Sequence, residues 1–576
     1  MLKKIILFIV CAIPFMAHSQ KFETKFEKSN GTQTPDYFEI INWWQRLDAA
    51  SPEVKMLQMG QTDAGYPLHL ILISGDKDFN IVSLKAKGKA ILFINNGIHP
   101  GEPDGIDASM LLAKNIVTGK YKLPENLVLA IIPVYNIGGC LNRSADYRVD
   151  QNGPEEFGFR GNAQNLDLDR DFTKCDSKNA ISFDKIFHLL DPDVFIDNHV
   201  SDGADYQHVM TLLTTQHNKL GSEMGNYLNK EFEPALYKLM KAKGYDLIPY
   251  AGSFGSSPRN GWSAYWDSPR YSTGYTSMWN TFGFMTETHM LKPYSQRVAS
   301  TLALMECAIS FISENSGKII ALRKQAIQDQ RTQKAFPIAW ELDKSVTAQI
   351  LFKGYADSQK ISNVSGLPRL YYDRSKPYEQ EVPFYNEFKV TEEVQKPEAY
   401  IIPQGWWKVT DRLQANNVTM RQLKKDTSLE VEWYRIEDFK SYIKPYEGHH
   451  PNMNIKISVH HQIMHFRKGD WYIPMNQAAN SFLIETLEPR AQDSYFVWNF
   501  FDPVLSQKED YSDYDFEDIA AEYLKKHPEL QEKMNKKKAE DPSFAKSAVK
   551  QLNFVYENSP WIEPAYLQYP VFRVMK

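Results

Sequence analysis

The chain has 576 residues and a formal net charge of −5, with 43% hydrophobic and 24% charged residues. These values are ordinary for a globular protein, and the length allows more than one domain. The chain has no long basic tract, and its Lys-rich run at 533–538 lies in a helical stretch of mixed charge. We therefore expect no nucleic-acid partner. The sequence contains no signal for an oligomeric state.

The first 19 residues have the pattern of a secretory signal peptide. Lys3 and Lys4 form a positive start, and the apolar stretch 5–15 is too short to span a bilayer. Small residues precede a cleavage point after Ser19. No later stretch contains the ~18 uninterrupted apolar residues of a membrane helix. We therefore expect an exported protein, periplasmic or extracellular, without a transmembrane segment.

Between residues 88 and 320, short apolar runs alternate with helical periodicity. Apolar runs typical of buried strands occur at 89–95, 127–134, 194–197 and 283–286, and helical spacing occurs at 104–117 and 299–312. This alternation predicts an α/β fold with a mixed, largely parallel central sheet and helices on both faces. Ligands bind such sheets beyond the carboxyl ends of the strands, where residues 96–102, 198–199 and 287 are expected.

The pattern changes after residue 320. Residues 323–334 are polar and typical of a linker or a connecting helix. They are followed by three kinds of segment: a strand at 347–352, a strand–helix–strand unit over 399–423, and helical stretches at 515–538 and 543–551. We therefore predict a catalytic domain at 36–320 and a second α+β domain of unknown role at 335–576. We interpret the paired histidines of the second domain, at 449–450 and 460–461, as surface or packing residues.

Three residues carry the pattern of a zinc site. His99 and Glu102 form an H-x-x-E pair in a turn between a strand and a helix, and both side chains can bind one zinc ion. The pair is weak alone, because most such matches are surface or helix residues. His199 ends an apolar strand and adds a third ligand, whereas the nearest alternative, His208, lacks that setting. Either residue of the pair 197–198 could orient an imidazole.

Other side chains near these ligands suggest hydrolysis. Glu287 ends the apolar run 282–286, where a carboxylate can act as general base in amide hydrolysis. Arg160 and Arg170 bracket an Asp-rich segment and can bind a substrate carboxylate, although local salt bridges would also explain them. His289 is interpreted as a strand-end polar residue. Singly, each is more often structural, and their combination favours a catalytic site.

Taken in order, these residues resemble the zinc carboxypeptidase family (funnelin metallocarboxypeptidases), in the exported bacterial type with a C-terminal extension. That family has H-x-x-E, then R-x-N-x-x-G-x-D-x-N-R-[ND]-[FYW], then a strand-end His and a strand-end Glu. Residues 60–70 also resemble the family segment that precedes the metal motif. The resemblance covers roughly residues 36–315, and the ordered set is more specific than any single motif.

The resemblance implies a zinc-dependent metallopeptidase that hydrolyses an amide bond near the C-terminus of a peptide or peptidoglycan stem. One Zn²⁺ per chain would be bound by His99, Glu102 and His199. A zinc-bound water would be activated by Glu287, which would also shuttle the proton. Two alternatives remain: a zinc amidase or deacylase of small acyl-amino acids, and an inactive binding module on the same fold.

The resemblance also assigns the substrate side of the site. Arg160 would polarise the scissile carbonyl, and Arg170 would bind a terminal carboxylate with help from the preceding residue, Asp169. Tyr271 would close over the substrate, with Tyr275 as the alternative. The family usually has Asn where this chain has Asp169, and Gly at residue 165. A carboxylate at Asp169 would repel a substrate carboxylate and could pair with Arg170, which leaves a different or cationic end group open.

The cysteines predict no disulfide framework. Three remain after signal-peptide cleavage: Cys140, Cys175 and Cys307. This odd, sparse set allows a single bridge, and the absence of a C-x-x-C pair argues against a cysteine-based zinc site.

Overall fold

The computed structural model describes residues 22–253 and 255–575. The predicted signal peptide, residues 1–19, lies outside these residues. Among the described helices, none combines the length and the apolar character required to cross a membrane.

An eight-stranded sheet forms the centre of the N-terminal half. The strands of this half are β1 (Val54–Gln61), β2 (Pro67–Ile73), β3 (Ala90–Asn95), β4 (Leu127–Ile132), β5 (Arg143–Ser144), β6 (Phe157–Gly158), β7 (Val194–Ser201), β8 (Met210–Thr214), β9 (Ile248–Pro249), β10 (Trp262–Ser263) and β11 (Phe282–His289). The sheet order is β1-β2-β4-β3-β7-β11-β8-β9. The run β4-β3-β7-β11 and the pair β8-β9 are parallel, and the other pairs are antiparallel. The predicted mixed, largely parallel sheet is therefore confirmed.

Helices cover both faces of this sheet. In the N-terminal half they span Lys25–Lys28, Tyr37–Ala50, Ile81–Ala86, Asp104–Val117, Ile137–Leu141, Lys178–Leu190, Ser222–Tyr227, Glu233–Ala242, Ser272–Met278 and Tyr294–Thr332. Successive residues of β3 alternate between two cores: Leu92 and Ile94 belong to one, and Ile91 and Phe93 to the other. A strand buried on both faces needs continuous apolar residues, which explains the unbroken runs in the sequence.

Two central strands are longer than predicted. The sequence placed strand ends at residues 197 and 286, but β7 runs to Ser201 and β11 to His289. His199 and Glu287 therefore lie within paired strands, directly opposite each other in parallel register, and the prediction that they follow the strand ends was wrong. Polar side chains ended the apolar pattern, but the backbone ladder between the strands continues past them.

One helix joins the two halves. Tyr294–Thr332 has 39 residues and passes through the predicted domain end at 320. Residues 323–332, predicted as a linker or a connecting helix, are part of it. Within this segment Arg323 is 4% exposed and pairs with Asp191 and Asp193, which directly precede β7. These ion pairs fix the helix to the N-terminal half.

The C-terminal half combines long strands and short helices. Its strands are β12 (Ala335–Leu342), β13 (Ala348–Ile361), β14 (Pro368–Tyr385), β15 (Phe388–Gln395), β16 (Ala399–Ile402), β17 (Arg421–Gln422), β18 (Thr427–Ser441), β19 (Asn452–Phe466), β20 (Trp471–Pro474) and β21 (Phe572–Val574). Its helices are Trp407–Ala415, Asn480–Leu487, Asp513–Lys526, Pro528–Glu540, Pro542–Ala545 and Ala548–Glu557. Pro528 opens a new helix, so the stretch 515–538 is two helices, not one. The second strand of the unit predicted over 399–423 is limited to β17.

The C-terminal half shares a core with the N-terminal half. Phe93 and Phe183 of the N-terminal half belong to the same buried cluster as Tyr400 and Phe482. Burial of apolar side chains is the main stabilising contribution to a fold. The two halves are therefore packed together through a common apolar interior on one face of the central sheet.

Candidate active site

Three buried side chains converge where β3 ends beside β7. His99 and Glu102 lie in the turn between β3 and the helix Asp104–Val117, and His199 projects from β7. His99 Nδ1 lies 3.5 Å from Oε1 of Glu102, and His199 Nδ1 lies 3.5 Å from Oε2 of the same carboxylate. One potential ligand atom from each residue lies within 4.8 Å of the others, and none of the three is more than 4% exposed. Two imidazoles and a carboxylate in this arrangement fit a zinc ion.

A carboxylate lies beside each imidazole, and that of Asp167 forms a hydrogen bond with His99. His99 Nε2 lies 2.8 Å from Asp167 Oδ1, and His199 Nε2 lies 3.2 Å from Asp197 Oδ2. His99 Nδ1 is buried and has no hydrogen-bond partner, as expected for an atom reserved for a metal. Of the two candidates offered by the sequence, the structure places Asp197 beside the imidazole, and Asn198 donates to Asn96 instead. A hydrogen bond such as that between Asp167 and His99 fixes the tautomer of a metal ligand.

Glu102 is held by backbone and guanidinium donors. One carboxylate oxygen accepts from the Val200 N–H at 2.8 Å, and the other contacts Arg148 at ion-pair distance and Arg160 at 3.4 Å. Burial would raise the pKa of Glu102, but the charges of Arg148 and His99 hold that pKa well below its usual range. Glu102 is therefore ionised and available as a metal ligand.

Glu287 faces the same centre from β11. It is 9% exposed and pairs in register with His199 on the neighbouring strand. Burial, reinforced by the nearby carboxylates of Glu102 and Asp169, raises the pKa of Glu287 to about 8. A bound cation beside it would lower that pKa. In the metal-free protein this carboxyl group can both accept and donate a proton near neutral pH.

A cavity of about 540 Å³ opens over these groups and includes the predicted substrate residues. Arg160 lines it and donates from Nε to Asp167 at 2.8 Å. Arg170 forms an ion pair with Asp169, and its guanidinium carbon lies 4.5 Å from the centre of the Tyr271 ring. The second carboxylate oxygen of Asp169 is buried without a hydrogen-bond partner. The predicted pairing of Asp169 with Arg170 is therefore present.

The two candidate tyrosines occupy different places. Tyr271 lines the cavity, whereas Tyr275 is fully buried and its hydroxyl donates to Asn416 at 2.7 Å. Of these two candidates, Tyr271 is therefore the one placed to reach a substrate. Tyr250 and Tyr265 also line it, and the sequence reasoning did not identify them.

Two further residues were missed. Asp167 is the Asp of the family segment quoted above, so the motif itself could have identified it. Arg148 belongs to no recognisable sequence motif. It is identified only by its ion pair with Glu102 and by its hydrogen bond of 3.1 Å to the Val200 carbonyl.

Four other histidines, residues 208, 289, 449 and 460, contact neighbouring groups of the fold. His208 bonds to backbone atoms of Asp246 and Lys353, and His289 lies 3.5 Å from Asp205. His449 pairs with Asp176, and His460 stacks on a tryptophan ring. The three cysteines of the described chain, residues 140, 175 and 307, are buried and free.

Comparison with known proteins gives a match to one family. Residues 40–188 match the profile of the zinc carboxypeptidase family. This segment is therefore similar to the zinc carboxypeptidase family. The matched segment includes His99, Glu102, Arg160 and Arg170, whereas His199 and Glu287 lie beyond it and join the site through the fold.

Several solved structures are similar to this chain. They include a metallo-carboxypeptidase from Burkholderia cenocepacia (15% identity, 49% of this chain and 69% of that chain, TM-score 0.37). Another is a metallo-carboxypeptidase from Pseudomonas aeruginosa in complex with (2-guanidinoethylmercapto)succinic acid (14%, 49% and 69%, TM-score 0.36). A third is the carboxypeptidase A from Helicoverpa armigera (14%, 51% and 73%, TM-score 0.34). Curated proteins gave no match.

The family assigns the cofactor and the class of reaction. The zinc carboxypeptidase domain is that of a zinc-dependent hydrolase, and its cofactor is one zinc ion. The group His99, Glu102 and His199 supplies ligands of the type that zinc takes in catalytic sites, three from the protein with a fourth position left open.

Proposed function

We propose that this zinc carboxypeptidase domain is catalytically active and hydrolyses an amide bond near the C-terminus of a peptide or a peptidoglycan stem. The supporting observation is the register pairing of Glu287 with His199, which brings a carboxyl group to the three candidate ligands in one cavity. Zinc, when bound, supplies a Lewis acid that polarises a carbonyl and lowers the pKa of a coordinated water.

Glu287 is the general base of this proposal. Its burial beside other carboxylates favours proton uptake, and this supports removal of a proton from the attacking water. The same carboxyl group then delivers that proton to the leaving amine. Acid–base catalysis of this kind contributes about 10²–10⁴-fold to a rate.

Arg160 stabilises the negative charge that develops on the scissile carbonyl oxygen. Its Nε is engaged by Asp167, which orients the guanidinium, while its side chain is 43% exposed toward the cavity. A donor fixed before the reaction needs no reorganisation when charge develops, and one such donor is worth about 10²–10³-fold.

The substrate end differs from a simple carboxylate anchor. Arg170 would bind a terminal carboxylate, but Asp169 already occupies one side of its guanidinium. A substrate carboxylate must therefore share Arg170 with Asp169, and a neutral or cationic end group would meet less repulsion. Tyr271 closes the substrate side by packing on Arg170.

The site of action follows from the predicted signal peptide. A protein exported to the periplasm or the cell exterior would meet peptides and peptidoglycan fragments, which fits the proposed substrates. The proposal of export can be tested by determining the N-terminus of the mature protein from its native host.

A digest separates the candidate reactions. Purified protein is incubated with a peptide library, peptidoglycan stem peptides and N-acyl amino acids, with and without a chelator, and products are read by mass spectrometry. We expect chelator-sensitive loss of one C-terminal residue from a peptide class. Cleavage of only the N-acyl amino acids would indicate the amidase, and intact substrates in the presence of bound zinc would contradict the proposal.

A further inference from the structure

A turn from the C-terminal half touches the catalytic motif. β18 and β19 form a long hairpin, and residues Tyr446–His449 in its connection are called here the docking turn. Tyr446 and His449 exchange backbone hydrogen bonds of 2.7 and 3.1 Å around Glu447 and Gly448. Both central residues have positive φ, 49° and 81°. Two-residue turns of this type favour Asn or Gly, so Glu447 holds a backbone conformation that its side chain disfavours.

The Glu447 side chain points to the metal-binding region. Its Oε2 accepts from the backbone N–H of Asp167 at 2.8 Å. Asp167 in turn contacts His99 Nε2 with one oxygen and accepts from Arg160 Nε with the other, both at 2.8 Å. Glu447 and Asp167 are 280 positions apart in the chain. Asp167 alone therefore separates Glu447 from His99, a candidate metal ligand, and from the guanidinium of Arg160.

Two further contacts hold the docking turn beside segments that carry cavity residues. His449 Nε2 lies 2.7 Å from Asp176, which also pairs with Arg412. Tyr446 stacks on Trp498 with ring centres 6.1 Å apart, and Arg270 lies over both rings. Arg270 directly precedes the cavity tyrosine, Tyr271. The turn is therefore fixed to both the Asp-rich segment and the tyrosine segment of the cavity.

We propose that the docking turn is a built-in part of the catalytic centre and that Glu447 is a positioning residue for Asp167. Through Asp167, Glu447 fixes the imidazole of His99 and the guanidinium of Arg160. The proposal deepens the proposed function and rests on it for its kinetic readout, whereas its zinc-affinity readout is independent of turnover. It also gives the C-terminal half a role: it completes a site that the N-terminal half begins.

The strained backbone at Glu447 provides a discriminating variant. Glycine adopts positive φ without strain, so Glu447→Gly is expected to keep or raise the melting temperature of the full-length protein. The same change removes the carboxylate that orients Asp167. Loss of an outer partner of a metal ligand typically weakens metal affinity or activity 10–100-fold, and we expect zinc affinity to fall about tenfold. A purely structural residue would not combine these two results.

The test measures zinc affinity by chelator competition in the full-length protein. Glu447→Gln keeps an acceptor oxygen and should stay within about threefold of wild type. Asn454→Gly is the matched control, because Asn454 also has positive φ, 53°, lies in the same hairpin and is exposed away from the site. It should leave zinc affinity unchanged. In peptidase assays Glu447→Gly should lower kcat about tenfold and change KM by less than twofold.

The outcomes separate this proposal from the proposed function. Zinc affinity of Glu447→Gly within twofold of wild type overturns the positioning role. An equal loss in Asn454→Gly also overturns it, since the effect would then come from the hairpin rather than the carboxylate. Weakened zinc binding in Glu447→Gly, together with no turnover of any substrate by wild type, would uphold the positioning role and reject the proposed peptidase activity. A wild-type protein that binds no zinc would contradict both.

Discussion

The two ends of the cavity are built on opposite principles. At the metal end, His99, Glu102 and His199 are held by partners that leave their ligand atoms facing one point. At the substrate end, Arg170 is already paired with Asp169, so its charge is partly neutralised before any substrate arrives. The metal end is therefore arranged to bind a metal ion. At the substrate end, the Arg170 guanidinium is not free to bind a carboxylate. The two ends meet at Asp169, whose charge also helps to raise the pKa of Glu287.

The largest expected effect is a loss of kcat caused by a substitution at the metal end. Glu287→Gln should lower kcat by about 10²–10⁴-fold, because the amide cannot take a proton from the attacking water. Zinc content, measured by elemental analysis, should stay at one ion per chain. Unchanged turnover would remove Glu287 from the mechanism, and loss of zinc would show that it supports the metal instead.

Metal removal tests the same end through stability. Zinc that binds only the folded protein stabilises it by about 4 kcal/mol at a free concentration of 1,000 times Kd. A chelator should therefore lower the melting temperature, and readdition of zinc should restore it. A melting temperature that is insensitive to both would contradict a site formed in the native fold.

The metal-free protein should also show a pH dependence. The pKa of Glu287 is raised in the folded state to about 8, above its ordinary value of 4.5, so the folded state binds its proton more tightly than the unfolded state. The resulting stability is fully present below about pH 4.5 and is lost as pH rises toward 8. Glu287→Gln should flatten this decline in thermal unfolding curves recorded with chelator. An equal slope in both proteins would assign the decline to other groups.

A smaller change sharpens the substrate end. Asp169→Asn should release Arg170 and remove a buried negative charge, so kcat/KM for a substrate with a free terminal carboxylate should rise about tenfold relative to its amide. Asp202→Asn is a matched control, since Asp202 also lines the cavity but pairs with no described arginine side chain. A rise in both variants would indicate a general charge effect, and no rise in either would exclude Asp169 as a determinant of the end group.

The smallest effect concerns the tyrosines. Tyr271→Phe should raise KM about two- to fivefold, because the hydroxyl is lost while the ring remains over Arg170. Tyr275→Phe should leave KM unchanged and lower the melting temperature, since it removes a buried hydrogen bond to Asn416. The reverse result would reassign the tyrosine that closes over substrate.

The features set by local sequence could be predicted, whereas those set by contacts between distant residues could not. The H-x-x-E turn, the central strands and the Asp169–Arg170 pairing could be read from neighbouring residues, because each depends on short spacing or on a strong apolar pattern. The extension of β7 and β11 could not, because His199 and Glu287 are polar yet buried in a continuing ladder. The contact of Glu447 with Asp167 lies beyond any local pattern, since it joins residues 280 apart.

Anomalous diffraction at the zinc edge, on crystals of the full-length protein, tests the central claim most directly. We predict one zinc ion per chain, bound by Nδ1 of His99, a carboxylate oxygen of Glu102 and Nδ1 of His199, with Glu287 facing the open position. Zinc bound elsewhere, or through the Nε2 atoms that now face Asp167 and Asp197, would contradict the account.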